Sequence, residues 1–366
     1  MTTTNGKYQG NREGMRALAR CRACASDVNG ENMRKATQQR ARTPGKRKTT
    51  SITKDLFEVL VAAPMSAGKS SFINALIGDE LLHVANEATT ACLTRVEHRK
   101  GVKSFRGACY LDSGAVLATQ RDASAELLRD WNSDGRVKRI ELKGSFNVAP
   151  RPASGLVVYD TPGPNNSQND RHGQLMREAV QQIPFKALCY VLNAGQLGTV
   201  DDRACLDLLR NGLTDDPAHE IYFVLNKIDL LDPEKGEDIG EHVEHAHKYL
   251  SDAGFHNPIV IPTIADAALY ARKALNRLSM TRPQRTKLHQ TLDEFSDRKR
   301  ALIQATTAPA SVKKRLFIEL DSLEQRSDAI ASNEKLAEEN ELKLLITYSG
   351  LRTVELLIQR QRRLAE

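Results

Sequence analysis

The sequence is poor in aromatic residues and has no long apolar run. Aromatic side chains make up 5% of its 366 residues, with a single tryptophan. The longest apolar stretches, Val59–Ala63 and Ala187–Leu192, are far shorter than the roughly 18 residues that a membrane-spanning helix needs. The first residues lack the charged and then apolar pattern of a secretory signal. We therefore expect a cytoplasmic protein.

Cysteine is also scarce, and its spacing does not indicate a metal site. Six cysteines are spread along the chain, and Cys21 and Cys24 form a lone C-x-x-C pair. A structural zinc site usually needs a second such pair or two nearby histidines, and neither follows. We therefore interpret these two thiols as part of a helical or flexible tail, and Cys189, which lies in an apolar run, as a core residue.

The net charge of +7 is concentrated at one end of the chain. Residues 1–50 hold 12 lysines and arginines against 3 acidic residues, which leaves a net charge of −2 for the remainder. Such a basic segment could attract a membrane of acidic lipid, a nucleic acid or an acidic protein surface. Its one aromatic residue, Tyr8, is too little for base stacking, so a solvated flexible tail is the simpler interpretation.

Beyond this tail, apolar runs alternate with stretches of helical period. Runs that are apolar throughout are typical of strands buried on both faces of a parallel sheet. Such runs occupy residues 57–63, 155–160, 187–193, 221–226 and 259–263. Helical patterns between them lie near residues 70–77, 172–183, 201–212 and 239–251. The alternation predicts a doubly wound, mostly parallel α/β domain over residues 51–275.

Two regions depart from this alternation. Residues 100–150 predict an inserted hairpin near 105–117, a helix near 123–131 and a strand near 137–142. Residues 276–366 show no strand pattern, and residues 301–366 carry ten basic and ten acidic side chains beside apolar stripes of helical spacing. We expect an appended α-helical bundle segment there. Its apolar faces could pack on each other, on the α/β domain, on an N-terminal helix or on another chain.

Residues 63–70, Ala-Pro-Met-Ser-Ala-Gly-Lys-Ser, have the spacing of a P-loop with alanine in place of the first glycine. They stand between a predicted strand and a predicted helix, as this motif requires. In a P-loop, backbone N–H groups surround the phosphates, Lys69 would lie between the β and γ phosphates, and the Ser70 hydroxyl would bind Mg²⁺. The candidate nucleotide-binding residues of the loop are Ala63, Ser66, Ala67, Gly68, Lys69, Ser70 and Ser71.

A second motif, Asp160-Thr-Pro-Gly163, ends the apolar run at 155–160. Asp160 would hold Mg²⁺ through water, as the acid of a Walker B strand does, and the Gly163 N–H would contact the γ-phosphate. The four residues alone form an ordinary turn sequence. Their position after a buried strand and downstream of a P-loop indicates a phosphate site.

A third motif, Asn226-Lys227-Ile-Asp229, follows the run at 221–226. A carboxylate such as Asp229 can accept hydrogen bonds from N1–H and N2–H₂ of guanine, a pair of donors that adenine lacks. The motif therefore predicts GTP or GDP rather than an adenine nucleotide. After the last predicted strand, Thr263 and Ile264 would lend backbone N–H groups to guanine O6.

A fourth motif is a threonine in the polar stretch Asn86–Thr94. Thr90 is the candidate ligand for Mg²⁺ and sensor of the γ-phosphate, and Thr89 is the alternative. An ordinary threonine-rich loop is the competing interpretation. The motifs occur in the order of a GTPase, and all but the threonine fall at the carboxyl end of a predicted strand, where open α/β sheets bind ligands.

These motifs carry a specific resemblance. Met65–Ser71, with the letters M-S-A-G-K-S-S, resembles the P-loop of the dynamin superfamily, in which S-A-G-K-S-S is common. The pattern Thr90-x-x-x-x-Arg95 and the segment Asp160–Asn166 look like those of bacterial dynamin-like GTPases. The resemblance covers roughly residues 57–275, and the helices beyond it are compatible but not diagnostic.

The resemblance implies GTP hydrolysis, a helical bundle built from both chain ends, dimerisation through the GTPase domains and, in many members, work on membranes or filaments. Lys69, Ser66 and Thr90 would be the catalytic residues. Ser66 would help to place a monovalent cation beside Mg²⁺, and Thr90 would order Mg²⁺ and the attacking water.

The chain departs from the family pattern at several points. Met65 stands where dynamins carry a glutamine near the attacking water, and Leu93 stands where a proline is common. The helical part after residue 275 is short, and no apolar lipid-inserting segment is visible. A thioether cannot orient water through a strong hydrogen bond, so Met65 bears on hydrolysis more than on binding.

Three functions are therefore compared. The first is a dynamin-like GTPase, for which GTP turnover depends on Lys69. The second is a nucleotide-gated interaction module with negligible hydrolysis, whose output is the helices at 310–366. The third is a DNA- or replication-associated adaptor that binds through residues 1–50, with a strong dependence on salt.

Overall fold

A nine-stranded sheet lies at the centre of the structure, a computed structural model that describes residues 56–83, 92–163, 170–213, 219–330 and 332–366. The strands are β1 (Phe57–Ala62), β2 (Leu93–His98), β3 (Arg106–Leu111), β4 (Val116–Gln120), β5 (Val137–Gly144), β6 (Leu156–Asp160), β7 (Ala187–Asn193), β8 (Glu220–Asn226) and β9 (Ile259–Thr263). Their order in the sheet is β4-β3-β5-β2-β6-β1-β7-β8-β9.

The half of the sheet that follows β6 is parallel throughout. β1 pairs in parallel with both β6 and β7, and β8 pairs in parallel with both β7 and β9. Every residue of β1 and all but the last residue of β7 are buried. These strands are covered on both faces, which explains why their sequences are apolar without alternation. The prediction of a doubly wound, mostly parallel α/β domain is confirmed.

The other half of the sheet consists of β2 and of three strands from the insertion at residues 100–150. β2 runs antiparallel to β6 and parallel to β5, and β3 pairs antiparallel with both β4 and β5. The predicted hairpin, helix and strand are present as β3–β4, α2 (Ala125–Ser133) and β5. The hairpin does not project from the domain as a separate unit, since it extends the central sheet.

Six helices of the described ranges belong to the α/β part. They are α1 (Lys69–Ile77), α2, α3 (Asp170–Gln182), α4 (Val200–Gly212), α5 (Ile239–Asp252) and α6 (Ala265–Leu275). Side-chain oxygens of Ser124, Thr199 and Asp238 cap the first turns of α2, α4 and α5. Such caps satisfy N–H groups that have no partner within the helix, and they fix where each helix begins.

The predicted helical segment comprises five helices within the described residues. They are α7 (Arg282–Phe295), α8 (Ala301–Ala305), α9 (Ala310–Ile330), α10 (Glu334–Tyr348) and α11 (Leu351–Ala365). α9 packs on α10, α10 packs on α6, and α11 contacts α1 and β9. Of the packing partners that we expected, the structure shows two, namely the helices themselves and the α/β part. Residues 53–366 form one compact unit, and the domain boundary at 275 stays a prediction.

The corner between α10 and α11 is fixed to the carboxyl end of β9. The Ile264 N–H donates to the Ser349 carbonyl oxygen at 2.9 Å. Gly350 has a φ of 83°, and a Cβ atom there would lie 2.0 Å from the Pro262 carbonyl oxygen. A residue other than glycine would therefore be excluded both by the backbone conformation and by the neighbouring strand.

Two buried arginines join three helices through shared carboxylates. Arg272 of α6 is 2% exposed and pairs with Glu355 of α11 at 2.5 Å. Arg352 of α11 is 5% exposed and pairs with Glu319 of α9 at 2.8 Å and with Glu355 at 3.1 Å. Each buried guanidinium is paired with a carboxylate, because an unpaired buried charge would be strongly destabilising. This network makes the helical segment part of the same structural unit as the α/β part.

Several predicted features lie outside the described residues. They are the basic tail at 1–50 with Cys21 and Cys24, the threonines Thr89 and Thr90, and the part of the segment Asp160–Asn166 that follows Gly163. Within the residues that the structure does describe, no helix has both the length and the apolar character needed to cross a membrane.

The Arg272–Glu355 contact yields a prediction about stability. Replacing Glu355 by alanine leaves the buried Arg272 guanidinium without its carboxylate, and we expect a loss of about 3 kcal/mol in the free energy of unfolding. Urea unfolding followed by circular dichroism would measure it. The matched control is Glu366→Ala, because the exposed pair Arg362–Glu366 should contribute less than about 0.5 kcal/mol. Equal unfolding curves for the two variants would contradict the prediction.

Candidate functional site

The loop that joins β1 to α1 has an unusual backbone. Ser66 has a φ of 62° and Gly68 a φ of 89°, both in the left-handed region. α1 begins at Gly68 without a side-chain cap, unlike α2, α4 and α5. The N–H groups at the start of α1 are therefore not taken by a capping side chain. A helix start of this kind suits an anion, because the N–H groups and the helix dipole both favour negative charge.

The side chain of Asn226 holds the loop against two strands. Its Nδ2 donates to the Ala67 carbonyl oxygen at 3.1 Å, and its Oδ1 accepts from the Thr263 hydroxyl at 3.3 Å and from the Ala265 N–H at 3.1 Å. A Cβ atom at Gly68 would lie 2.4 Å from Nδ2, so glycine is required for this approach. Asn226 therefore acts in this arrangement as a positioning residue for the loop.

Lys227 makes a second connection to the same loop. Its backbone has a φ of 64°, and its ammonium donates to the Ser66 carbonyl oxygen at 2.8 Å. The first two residues of the predicted base-recognition motif thus contact the loop. Asp229, two residues further, lies in a short 3₁₀ turn, Ile228–Leu230.

Lys69 and Asp160 form a buried ion pair. Lys69 is the first residue of α1, Asp160 ends β6, and they are 8% and 2% exposed. A methyl group at Gly163 would lie 3.3 Å from the Ala63 carbonyl oxygen, so the second motif passes directly over the loop. Of the residues predicted to contact phosphate and its metal ion, the structure thus brings Lys69, Asp160 and Gly163 together at one edge of the sheet.

The donors near this ion pair fit Mg²⁺ bound to a nucleotide. Ser70 follows Lys69, the partner of Asp160, in the first turn of α1, and it carries a hydroxyl. Hard oxygen donors suit Mg²⁺, which usually binds through one or two protein groups together with phosphate oxygens and water. Among the described residues there is no group of three or more histidine, cysteine and acidic side chains that could hold a metal ion. A metal ion here would thus depend on the oxygens of a bound phosphate.

Asp229 pairs with a lysine that sequence reasoning did not identify. Its Oδ2 lies 2.6 Å from the ammonium of Lys287 on α7, and its side chain is 10% exposed. Burial opposes the charge on Lys287, but the bond to Asp229 and the attraction of that carboxylate raise its pKa. No local pattern marks Lys287, because it belongs to a helix of the distant appended segment.

Asp266 is a second acidic residue at this end of the site that was not identified. It lies in the first turn of α6, two residues after Ile264. Burial raises its pKa, a hydrogen bond with Ser71 opposes that shift, and the Asp229 charge adds to it. Asp266 could have been identified from the sequence, because it closely follows the predicted contact residues Thr263 and Ile264 and acidic side chains are favoured at helix starts.

The backbone at Thr263 and Ile264 departs from the expected geometry. Thr263 is the last residue of β9 and is fully buried. The Ile264 N–H donates to Ser349 and the following N–H, of Ala265, donates to Asn226. In this arrangement these two N–H groups are therefore committed within the protein. The expectation that Ile264 lends its N–H to guanine O6 is not supported.

Thr94 is a buried hydroxyl next to the predicted metal ligand. It pairs with Asp160 across β2 and β6 and is 4% exposed. Beside it, burial and the Asp160 charge raise the pKa of the Cys92 thiol to about 12, so this cysteine stays a thiol. The threonine expected from the sequence, Thr90, lies outside the described residues, and within the described part of β2 it is Thr94 that pairs with Asp160.

Comparison with known proteins finds a match to one family model and to a curated relative. A model of the dynamin family matches residues 59–228, a little under half of the chain. Dynamin-like protein A of Bacillus subtilis (strain 168) is 24% identical over 247 residues, which are 66% of this chain and 18% of that protein. The chain therefore spans less than a fifth of this relative's length. The resemblance to bacterial dynamin-like GTPases is confirmed.

Two solved structures are also similar. One, described as an oligomerised bacterial dynamin pair, is 19% identical with a TM-score of 0.45, covering 84% of this chain and 47% of that one. The other, Era in complex with MgGDPNP and part of 16S ribosomal RNA, is 14% identical with a TM-score of 0.33, covering 57% of this chain and 51% of that one. The fold assignment rests on the strand order and the loop geometry, since both scores lie below 0.5.

The role of Asn226 yields a prediction. In Asn226→Ala, the Ala67 carbonyl and the Ala265 N–H lose their partner in a buried place, and we expect a loss of about 2 kcal/mol in the free energy of unfolding. Chemical denaturation would measure it. Asn193→Ala is the control, because Asn193 occupies the corresponding last position of β7 but its side chain bonds to Gly195 and Gln196 and not to the loop. If Asn226→Ala were as stable as the control, Asn226 would not connect the loop to the strands.

Proposed function

We propose that this chain, which resembles the bacterial dynamin-like GTPases over its dynamin-family segment, binds GTP with Mg²⁺ and hydrolyses it. The observation that carries the proposal is the meeting of three motifs at one sheet edge. The loop at 63–70 lies beside Asp160 and under Gly163, and Asn226 and Lys227 bind the same loop. Their order along the chain and the match to the dynamin family support the same conclusion.

The residues divide into those for phosphate and those for the base. We propose that Lys69 and the N–H groups of the loop neutralise the β and γ phosphates, because they lie at the uncapped start of α1. Ser70 and Asp160 would hold Mg²⁺, directly and through water, and Mg²⁺ would neutralise charge that develops on the phosphates. Thr90 remains the proposed switch threonine, and Ser66 would position a monovalent cation.

Opening of the Lys69–Asp160 ion pair would accompany nucleotide binding. The pair is buried, so each charge needs a new partner when the two separate. Phosphate oxygens would take the ammonium of Lys69, and the metal with its water would take the carboxylate of Asp160. The ion pair thus neutralises both buried charges and holds the two side chains close to the positions in which they would bind the ligand.

Fewer of the described residues bear on hydrolysis than on nucleotide binding. Met65 is 39% exposed at the loop surface, and its thioether accepts hydrogen bonds only weakly. Catalysis would therefore rely on charge stabilisation by Lys69 and Mg²⁺, on Ser66, and on a threonine that orients water. Dimerisation through the GTPase domains, which the family resemblance implies, would supply further groups or order these loops.

Replacement of Lys69 by alanine tests the enzyme proposal. We expect Mg²⁺-dependent GTP turnover by the unchanged protein, with a specific activity that rises with protein concentration if dimers are the active form. Lys69→Ala should reduce turnover by at least about a hundredfold, since it removes a charge that stabilises the transferred phosphoryl group. Phosphate release would be measured, and Lys100→Ala, in an exposed turn, is the control. Tight GTP binding without turnover at any concentration would exclude the enzyme and support a nucleotide-gated interaction module.

Replacement of Asp229 by asparagine tests the base assignment. The variant loses an acceptor for guanine N1–H and N2–H₂, and we expect the affinity for GDP to fall by about a hundredfold or more. An amide can donate to the C2 carbonyl of xanthine, so the affinity for xanthosine diphosphate should rise. Asp232→Asn, in the exposed turn that follows, is the control. Unchanged preference for GDP in Asp229→Asn would show that another group reads the base.

A further inference from the structure

Lys287 and a guanine base require the same carboxylate. The Lys287 ammonium lies 2.6 Å from Oδ2 of Asp229, whose side chain is 10% exposed. A guanine that binds Asp229 through N1–H and N2–H₂ needs both of its oxygens. Since the buried carboxylate offers little free surface, the ammonium and the base compete for it. This step rests on the proposed function, because it takes Asp229 as the residue that reads the base.

The helix that carries Lys287 is firmly positioned at its start. Thr281 and Gln284 form a reciprocal capping box at the first turn of α7. Gln284 also donates to Glu80 at 2.5 Å, and Lys273 of α6 contacts both Glu80 and Gln284. Lys287 lies three residues after Gln284, so it is on the same side of α7. A rigid helix, rather than a mobile loop, therefore presents the ammonium to Asp229.

The far end of α7 contacts the appended helices. Phe295, the last residue of α7, is 2% exposed and stacks on Tyr348 of α10 with ring centroids 6.4 Å apart. The next residues after Tyr348 form the corner whose Ser349 carbonyl accepts the Ile264 N–H. α7 thus contacts the base-recognition motif at one point and the helical segment at another.

The charges around Asp229 favour the lysine contact. Asp229 and Asp266 are two carboxylates close enough for their charges to repel. Lys227 is nearby, but its ammonium is bonded to the Ser66 carbonyl oxygen. Lys287 is the cation that the described residues place in direct contact with Asp229. A guanine that takes Asp229 must therefore replace a full positive charge by two polar N–H donors.

We propose that Lys287 is a competitor that guanine displaces from Asp229, and that this displacement releases α7 from the base-recognition motif. Guanine nucleotides then bind with a cost that a chain without Lys287 does not have. Through its contact with α10, the displaced helix transmits the binding of a base to the helical segment. GTP and GDP carry the same base, so both produce this response.

Affinity for a fluorescent GDP analogue tests the competition. In Lys287→Met the competing charge is gone and the length of the side chain is kept, so we expect tighter binding by about fivefold, the size of effect of a partly exposed ion pair. Lys287→Arg should bind as the unchanged protein does. Lys235→Met is the matched control, because the exposed Lys235–Asp232 pair follows the same motif and does not involve Asp229. Equal or weaker binding by Lys287→Met would overturn the proposal.

Hydrogen exchange at α7 tests the release and separates it from a merely structural role. In the unchanged protein, GDP should speed amide exchange over residues 282–295, although ligand binding usually slows exchange. In Lys287→Met, exchange there should already be fast and should not respond to GDP. Slower or unchanged exchange over 282–295 when GDP binds the unchanged protein would overturn the proposal.

The two experiments also distinguish this inference from the proposed function. If the unchanged protein binds no guanine nucleotide, both fall. If it binds GDP with the base preference expected of Asp229 but Lys287→Met gives the same affinity and the same exchange, the inference alone falls. Circular dichroism of Lys287→Met and Lys287→Arg would establish that both variants are folded before either comparison is made.

Discussion

The site depends on one buried amide, the side chain of Asn226. It donates to the P-loop and accepts from the last residue of β9 and the first residue of α6, so two segments far apart in sequence share one partner on β8. Because the amide is buried, each of these bonds would be costly to lose. The left-handed backbone of Gly68 and its missing side chain make room for it. The shape of the loop, the end of β8 and the start of α6 are thereby fixed together.

The parts of this arrangement that depend on local sequence could be predicted, and the parts that depend on pairing could not. Continuous apolar runs identified β1, β6, β7, β8 and β9, because strands covered on both faces need apolar side chains on both. The motifs at their ends followed from the rule that ligands bind at the carboxyl edge of such a sheet. The antiparallel entry of β2 beside β6 could not be predicted, since a strand's sequence does not state its neighbour or its direction.

The same limit applies within the site. The Asp229 carboxylate could be identified from its motif. Lys287 lies on a helix whose apolar stripe predicts how the helix packs but does not predict which residues its polar face contacts. The Ile264 N–H was expected to face a base because it follows a strand, and it bonds instead to a corner whose place depends on Gly350. Both differences arise because the appended helices pack on the α/β part, where Arg272 of α6 pairs with Glu355 of α11.

This packing divides the site into two ends with different structural connections. The phosphate end, with Lys69, Asp160 and Gly163, connects to the sheet, while the base end, with Asp229 and Ile264, connects to the helical segment. A ligand can shift a helix only if it interacts differently with two of its positions. On the proposed assignment, the base, which GTP and GDP share, would do so through Lys287 and would indicate that a nucleotide is bound. The γ-phosphate would do so through residues near Gly163 and the switch threonine. If GTP is the ligand, the helices would receive two signals, one for a bound nucleotide and one for its phosphate state, by separate routes.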